Sequence, residues 1–133
     1  MKFQLISDLH LERYEELPPI EDFFIVDAPN LVLAGDICFI QHKNYVPFFE
    51  QVSQLYDNIF YVFGNHEYYI NSIYGGIDGH TFNTIEESAK EKLKHINNVY
   101  ILNNKSMVID DLVIIGTPLW CYYTFNEHRK KYV

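Results

Sequence analysis

Three short groups of acidic, amide and imidazole side chains each follow an apolar run of strand length. The groups are Asp8 with His10, then Asp36, and finally Asn65 with His66. The runs that precede them are residues 2–7, 31–34 and 59–63. Because ligands bind at the carboxyl edge of open parallel sheets, neighbouring parallel strands would bring these side chains together. Carboxylate and imidazole donors suit zinc, manganese or iron, so the pattern predicts a site for divalent metal ions.

The same residues resemble the motifs of the calcineurin-like metallophosphoesterase family. In chain order the matching pieces are Asp8-Leu9-His10, Gly35-Asp36 and Gly64-Asn65-His66-Glu67. Asp-x-His alone occurs often by chance, whereas three motifs in order, each after an apolar run, are specific. The resemblance covers nearly the whole chain but only the first half of the family's domain. Residues 112–120 also look like a strand and turn found in many members.

The resemblance implies a two-metal phosphoesterase site. The implied metal ligands are Asp8 and His10 for the first ion, Asp36 as a bridge, and the amide oxygen of Asn65 for the second. A water or hydroxide between the ions would attack phosphorus in line. His66 would stabilise the developing charge or protonate the leaving oxygen. Glu67 would orient its neighbours rather than bind a metal.

The histidines that the family draws from its second half have no match here. A closing Gly-His-x-His is normal, and the nearest stretch is Gly79-His80-Thr81-Phe82, with phenylalanine in place of the second histidine. We therefore interpret His80 as a loop residue. Three explanations stay open: a fragment of a longer enzyme, a natural short form, and a non-catalytic binding module that keeps part of the site. We expect firm binding of at most one metal, at Asp8, His10 and Asp36, and a second only weakly or with phosphate.

Structural alternatives exist for several of these residues. Asp8 and Asp36 could simply cap turns after strands, where aspartate is common. A nucleotide-binding domain is the other alternative, but neither of its glycine-rich phosphate motifs is present. Cys38 could be a ligand, although a free cysteine usually behaves as a small buried hydrophobe. The remaining histidines that we interpret as surface residues are His42, His95 and His128.

The order of apolar runs and helical patterns around these groups predicts an α/β chain with a largely parallel sheet and an antiparallel extension. Further strands are predicted over residues 99–102, 107–109 and 112–115, and Asp110-Asp111 fits a hairpin turn. The predicted helices cover residues 45–57, capped by Asn44, and a segment that starts near Thr84 in a capping box with Glu87. Its apolar stripe would be Ile85, Ala89 and Leu93. Loops are expected over residues 11–23 and 70–82, and residues 23–26 could be a short strand or a packed turn.

Length and composition bound the class of protein. A chain of 133 residues suits a single metallophosphoesterase-like domain over residues 1–133, truncated so that most of the second sheet is missing. A formal charge of −8 argues against a general nucleic-acid surface but allows a phosphorylated small molecule or phosphodiester, because bound cations reverse the local sign. Much of the acidity is expected in a solvated loop that contains Glu12, Glu15, Glu16, Glu21 and Asp22.

Location and partners follow from what the chain lacks. No run approaches the ~20 apolar residues of a membrane helix, and the N-terminus enters a strand directly instead of forming a signal peptide. Two cysteines, Cys38 and Cys121, are too few for a disulfide framework, which favours a reducing, cytoplasmic compartment. A half-domain would leave one sheet face uncovered, so a homodimer through that face is expected.

Overall fold

The structure is a computed structural model and describes residues 1–69 and 82–119. Its strands are β1 (Phe3–Ile6), β2 (Asn30–Ala34), β3 (Asn58–Val62), β4 (Val99–Ile101), β5 (Lys105–Ile109) and β6 (Leu112–Gly116). Its helices are α1 (Tyr45–Val52) and α2 (Phe82–Leu93). Strands β1 to β4 form a parallel sheet in sequence order, and β5 pairs with β6 in an antiparallel hairpin. The predicted α/β class, parallel sheet and antiparallel extension are confirmed.

The core lies on the face of the parallel sheet that α1 covers. The register places Leu31 opposite Ile59 and Leu33 opposite Tyr61, so these four side chains share that face. All four are fully buried. They pack against the aromatic and aliphatic side chains of α1, which are Tyr45, Phe48, Phe49 and Val52. Because β2 and β3 are fixed by this packing, the loops at their carboxyl ends start from rigid supports.

Helix α1 ends earlier than its apolar spacing predicted, and its start is not capped as expected. After Val52 the backbone tightens, because Leu55 N–H donates to the Val52 carbonyl at 3.0 Å and ends the α-helical pattern. The side chain of Asn44 makes no capping bond. Its amide nitrogen instead donates to the carbonyls of Leu11 at 3.0 Å and Tyr14 at 2.9 Å. Asn44 therefore joins the start of α1 to the loop after β1.

Helix α2 begins at Phe82, two residues before the predicted start near Thr84, so the predicted capping box of Thr84 and Glu87 is wrong. A capping box needs a non-helical cap residue, and Thr84 already lies inside the helix. The predicted apolar stripe is confirmed, since the side chains of Ile85, Ala89 and Leu93 are buried in the core. The loop predicted over residues 70–82 falls on residues 70–81, which lie outside the described residues.

The acidic segment after β1 contains two single 3₁₀ turns, Leu11–Arg13 and Ile20–Asp22. Leu11 and Ile20 are buried and anchor these turns to the core. Phe23 and Phe24 pack partly against the same core without forming a strand, so residues 23–26 include a packed turn.

Several apolar side chains remain exposed on the strands. Leu5 of β1 is 70% exposed, and the hairpin residues Val108, Val113 and Ile115 are 70%, 64% and 73% exposed. Val108 and Val113 are register partners, so they form one apolar surface. The homodimer expected from an uncovered face stays a prediction. No helix in the described parts of the chain is long and apolar enough to cross a membrane.

Candidate metal centre

The loops that follow β1 and β2 run side by side at the carboxyl edge of the sheet. The backbone N–H of Asp8 donates to the Gly35 carbonyl at 3.1 Å, and that of His10 to the Asp36 carbonyl at 3.0 Å. Leu11 N–H continues the series to the Ile37 carbonyl at 2.9 Å. These bonds extend the β1–β2 pairing beyond the strands, so the first two predicted groups are neighbours.

Left-handed backbone conformations are concentrated in these two loops. Asp8, His10 and Asp36 have φ angles of 57°, 50° and 55°. Residues other than glycine rarely adopt these backbone angles, and each such residue destabilises the fold by ~1–2 kcal/mol. The other described residues of this kind, Asn104 and Asp110, lie in turns around β5. Strain of this sort persists where the surrounding structure fixes it, and it often marks functional sites.

Glycines bring the ends of β2 and β3 into close approach. A Cβ atom on Gly35 would lie 2.5 Å from the backbone nitrogen of Gly64, and Gly35 itself has a φ of 87°. A Cβ atom on Gly64 would overlap the carboxylate of Asp36. Both motif glycines are therefore required by contact between two backbones and the Asp36 side chain.

Three donor side chains converge at this edge. The metal-binding atoms offered by His10, Asp36 and His66 all lie within 4.8 Å of one another. The backbone N–H of His66 donates to Asp36 Oδ1 at 2.9 Å, which fixes the third loop against the second. Within residues 1–69 and 82–119, this is the one group of at least three such donors that lie close enough together to hold a metal. Two imidazoles and a carboxylate match the donors that bind zinc, manganese or iron.

The other two predicted ligands lie beside this group. Asp8 has a 67% exposed side chain, and its Oδ1 is 3.9 Å from His10 Nε2, while Oδ2 accepts a hydrogen bond from the Ser7 hydroxyl. The amide nitrogen of Asn65 donates to the Tyr69 hydroxyl at 2.6 Å, so the amide oxygen is the atom that can face a cation. The closest donor group thus contains His66, for which the family resemblance implied a catalytic role, and does not contain Asp8.

The ring of His66 is held by aromatic neighbours. Phe39 stacks on it with ring centroids 5.5 Å apart and 26° between the planes. Tyr69 lies 5.0 Å away and His10 4.2 Å away, measured between ring centroids. The ring is 21% exposed, so it is accessible but has little freedom to rotate.

Glu12 is a member of the site that sequence reasoning missed. Its side chain is 6% exposed, and Oε1 lies 2.7 Å from His66 Nδ1 and 3.2 Å from His10 Nδ1. The interpretation of Glu12 as a solvated loop residue is therefore wrong, because the buried neighbour Leu11 turns this segment inward. Its place two residues after His10 was the available signal. The other acidic residues of the predicted solvated loop are exposed as expected: Glu15, Glu16, Glu21 and Asp22.

Glu67 is buried and joins the loops that follow β2 and β3. Its carboxylate accepts hydrogen bonds from four groups: Asp36 N–H at 3.0 Å, Ile37 N–H and Gly64 N–H at 2.8 Å, and the Tyr61 hydroxyl at 2.9 Å. Burial raises the pKa of Glu67, although these hydrogen bonds act in the opposite direction. The bonds fit the predicted orienting role, since they fix the backbone on which Asp36 and Asn65 stand.

Cys38, His42 and His95 are not members of the donor group. Cys38 is fully buried, and burial with the charges of Glu12 and Glu67 raises the pKa of its thiol, which disfavours the thiolate that a metal needs. His42 is 6% exposed, so its interpretation as a surface histidine is wrong. His95 is half exposed and contacts Glu50 at 2.9 Å, as expected of a surface residue. His80, Trp120 and His128 lie outside the described residues.

Comparisons with known proteins show the family that the motifs resemble. The model of the calcineurin-like phosphoesterase family matches residues 1–130. The uncharacterized protein L509 of Acanthamoeba polyphaga mimivirus is 38% identical over 126 residues, which cover 86% of this chain and 42% of that protein. The chain therefore spans less than half the length of this relative.

Proposed function

The chain belongs to the calcineurin-like phosphoesterase family, and on that premise we propose that it is a metal-dependent hydrolase of a phosphomonoester or phosphodiester. The observation that carries the proposal is the convergence of donor atoms from His10, Asp36 and His66 within 4.8 Å at the sheet edge. The family implies divalent metal ions, and manganese, iron or zinc fits this mixture of imidazole and carboxylate.

The proposed ligands follow the three loops. Asp8, His10 and Asp36 would hold the first cation, and Asp36 with the Asn65 amide oxygen would hold a second. When bound, a divalent cation supplies an activated water and neutralises charge on the phosphate. The hydrogen bond from His66 N–H to Asp36 Oδ1 does not prevent this role, because each carboxylate oxygen has two lone pairs.

His66 would act on the phosphate ester itself. Its Nδ1 lies 2.7 Å from Glu12, so Nε2 is the nitrogen left to meet a substrate oxygen. An imidazole in this position can stabilise developing charge or donate a proton to the leaving oxygen near neutral pH. The stacked ring of Phe39 restricts the ring to one orientation, which lowers the cost of reaching the reactive geometry.

The test compares hydrolysis of an aryl phosphate and a bis-aryl phosphate by the parent and by Asp36→Asn, each with Mn²⁺, Fe²⁺ or Zn²⁺. We expect Asp36→Asn to lower kcat/KM by at least about 100-fold, because it removes a charge that acts in the transition state. Asp111→Asn is the matched control, since Asp111 is exposed in the hairpin turn. Equal activity of the parent and Asp36→Asn would contradict the proposal.

The non-catalytic alternative predicts a different result. A binding module that keeps part of the site would take up metal, as measured by elemental analysis, yet hydrolyse neither ester with any of the three ions. The chain covers 42% of its viral relative, so the activity of a longer protein is a separate question for the same assay.

A further inference from the structure

We propose that Glu12 is a positioning residue that holds the imidazole rings of both His10 and His66 with their protons on Nδ1. The Nε2 lone pair of His10 then faces the cation. His66 Nε2 is left to meet the phosphate, where the ring can donate a proton to the leaving oxygen only in its protonated form, with the Glu12 carboxylate still bonded to Nδ1–H. The catalytic consequence rests on the proposed function, but the placement of the rings does not.

The geometry makes one carboxylate oxygen the shared acceptor of two rings. Oε1 of Glu12 lies 2.7 Å from His66 Nδ1 and 3.2 Å from His10 Nδ1, and the two Nδ1 atoms are 3.2 Å apart. An ionised carboxylate can only accept hydrogen bonds, so a ring nitrogen bonded to it must carry the proton. A neutral imidazole has a single ring proton, so Nε2 is left with its lone pair. His10 Nε2 is the atom that lies 3.9 Å from Asp8 Oδ1, on the side of the proposed ligand.

Burial of the Glu12 carboxylate destabilises the fold unless hydrogen bonds to it compensate. The Glu12 side chain is 6% exposed, and Oε2 has no hydrogen-bond partner among the described residues. A buried charged oxygen without a hydrogen bond destabilises the folded chain. Its described hydrogen-bond partners are the two histidines, and no lysine or arginine of the described chain forms an ion pair with it. A destabilising buried carboxylate thus lies at the point where His10 and His66 meet.

The backbone around Glu12 is held by contacts with the core and with the start of α1. His10 adopts a left-handed conformation that starts the 3₁₀ turn Leu11–Arg13. Leu11 is fully buried, and its carbonyl accepts a hydrogen bond from the Asn44 side chain at 3.0 Å. The turn is therefore anchored from both the core and the start of α1, so Glu12 enters the site on a rigid support. Supporting residues of this kind orient metal ligands in many proteins.

The first test reads the ring protons directly, by ¹⁵N NMR of the histidines in the metal-free protein at mildly alkaline pH, where free imidazole is neutral. We expect Nδ1–H rings for His10 and His66 in the parent. Glu12→Ala should shift both towards Nε2–H, whereas Glu12→Gln should retain Nδ1–H, because its amide oxygen still accepts. Glu16→Ala, an exposed neighbour on the same segment, is the matched control and should match the parent.

The second test titrates Zn²⁺ or Mn²⁺ alone by calorimetry. Glu12→Ala should weaken the metal Kd by about 10- to 100-fold, as loss of a supporting carboxylate does elsewhere, and Glu12→Gln by less. A folded Glu12→Ala variant with the ring protons of the parent, or with its metal Kd, would overturn the proposal. Should Glu12→Ala not fold, Glu12→Asp takes its place with the same expected outcomes, because its shorter side chain withdraws the acceptor. A parent without esterase activity would refute the proposed function and leave both of these measurements valid.

Discussion

His10 and His66 are neighbours with ring centroids 4.2 Å apart, yet the proposed mechanism gives them different roles. His10→Ala should weaken the metal Kd by more than about 100-fold, since a ligand matters more than the residues that support it. His66→Ala should keep a metal Kd close to that of the parent and lower kcat by about 10²- to 10⁴-fold, the usual worth of a proton donor. Calorimetry and steady-state kinetics on both variants separate these effects.

The matched control for this pair is His95→Ala, because His95 is half exposed and distant from the site. If His66→Ala weakens metal binding as strongly as His10→Ala, then His66 is a ligand and the donor group of His10, Asp36 and His66 is the metal site itself.

At the scale of single residues, the motifs predicted which side chains form the site better than they predicted how buried the neighbouring residues are. Asp36 and His66 were found because each follows an apolar strand, and the polar residue types reveal their chemistry. Glu12 was missed because its burial depends on a left-handed turn at His10 and on the anchored side chain of Leu11. Neither the turn nor the contact has a signal in local composition, so an acidic segment was interpreted as solvated throughout.

At the scale of elements, the strands were predicted closely and the helix ends were not. Buried parallel strands are continuous apolar runs, which the sequence displays directly. The end of α1 depends on weaker preferences and on a side chain with a competing partner. Asn44 is a good capping residue by type, but its amide nitrogen bonds Leu11 and Tyr14, more than thirty positions away in the case of Leu11. Tertiary contacts of this kind override local capping rules.

The turn before α1 contains a buried histidine that should make stability depend on pH. His42 Nδ1 accepts the Asn44 N–H at 3.2 Å, and protonation would remove this acceptor. Burial lowers the pKa of His42 below 6.5, against a smaller raising effect of the Glu12 charge. The unfolded chain therefore binds more protons between the folded pKa and 6.5. The stabilising contribution is complete above the unfolded pKa and is lost as pH falls through the folded pKa.

His42→Gln removes this titration. The unfolding free energy of the parent should fall more steeply on acidification than that of the variant, as measured by urea denaturation from about pH 8 to about pH 5, where histidines titrate. His95→Gln serves as control because its ring is half exposed. Parallel pH curves for the parent and His42→Gln would show that His42 does not couple folding to protons.

At the scale of the whole molecule, three loops on one rigid sheet edge supply the proposed ligands, and their number limits how many ions the chain can hold. Among residues 1–69 and 82–119, one group of at least three donors is close enough to bind a metal. A second ion would have Asp36 and the neutral amide of Asn65, and two such ligands rarely suffice unless a phosphate completes the coordination. The viral relative is more than twice as long as the aligned segment, so the ion count of a longer protein is a separate matter.

We therefore predict that this chain alone binds one metal firmly, and a second weakly or only with phosphate present. Equilibrium dialysis against Mn²⁺ or Zn²⁺ in phosphate-free buffer, followed by elemental analysis, should give a single tight equivalent per chain. Asp36→Ala should abolish it, and Asp111→Ala should not. Added inorganic phosphate should raise the bound metal towards two equivalents in the parent. Two tight equivalents without phosphate would contradict the prediction, because the described donors would then need another ligand, from His80 or from a second copy of the chain.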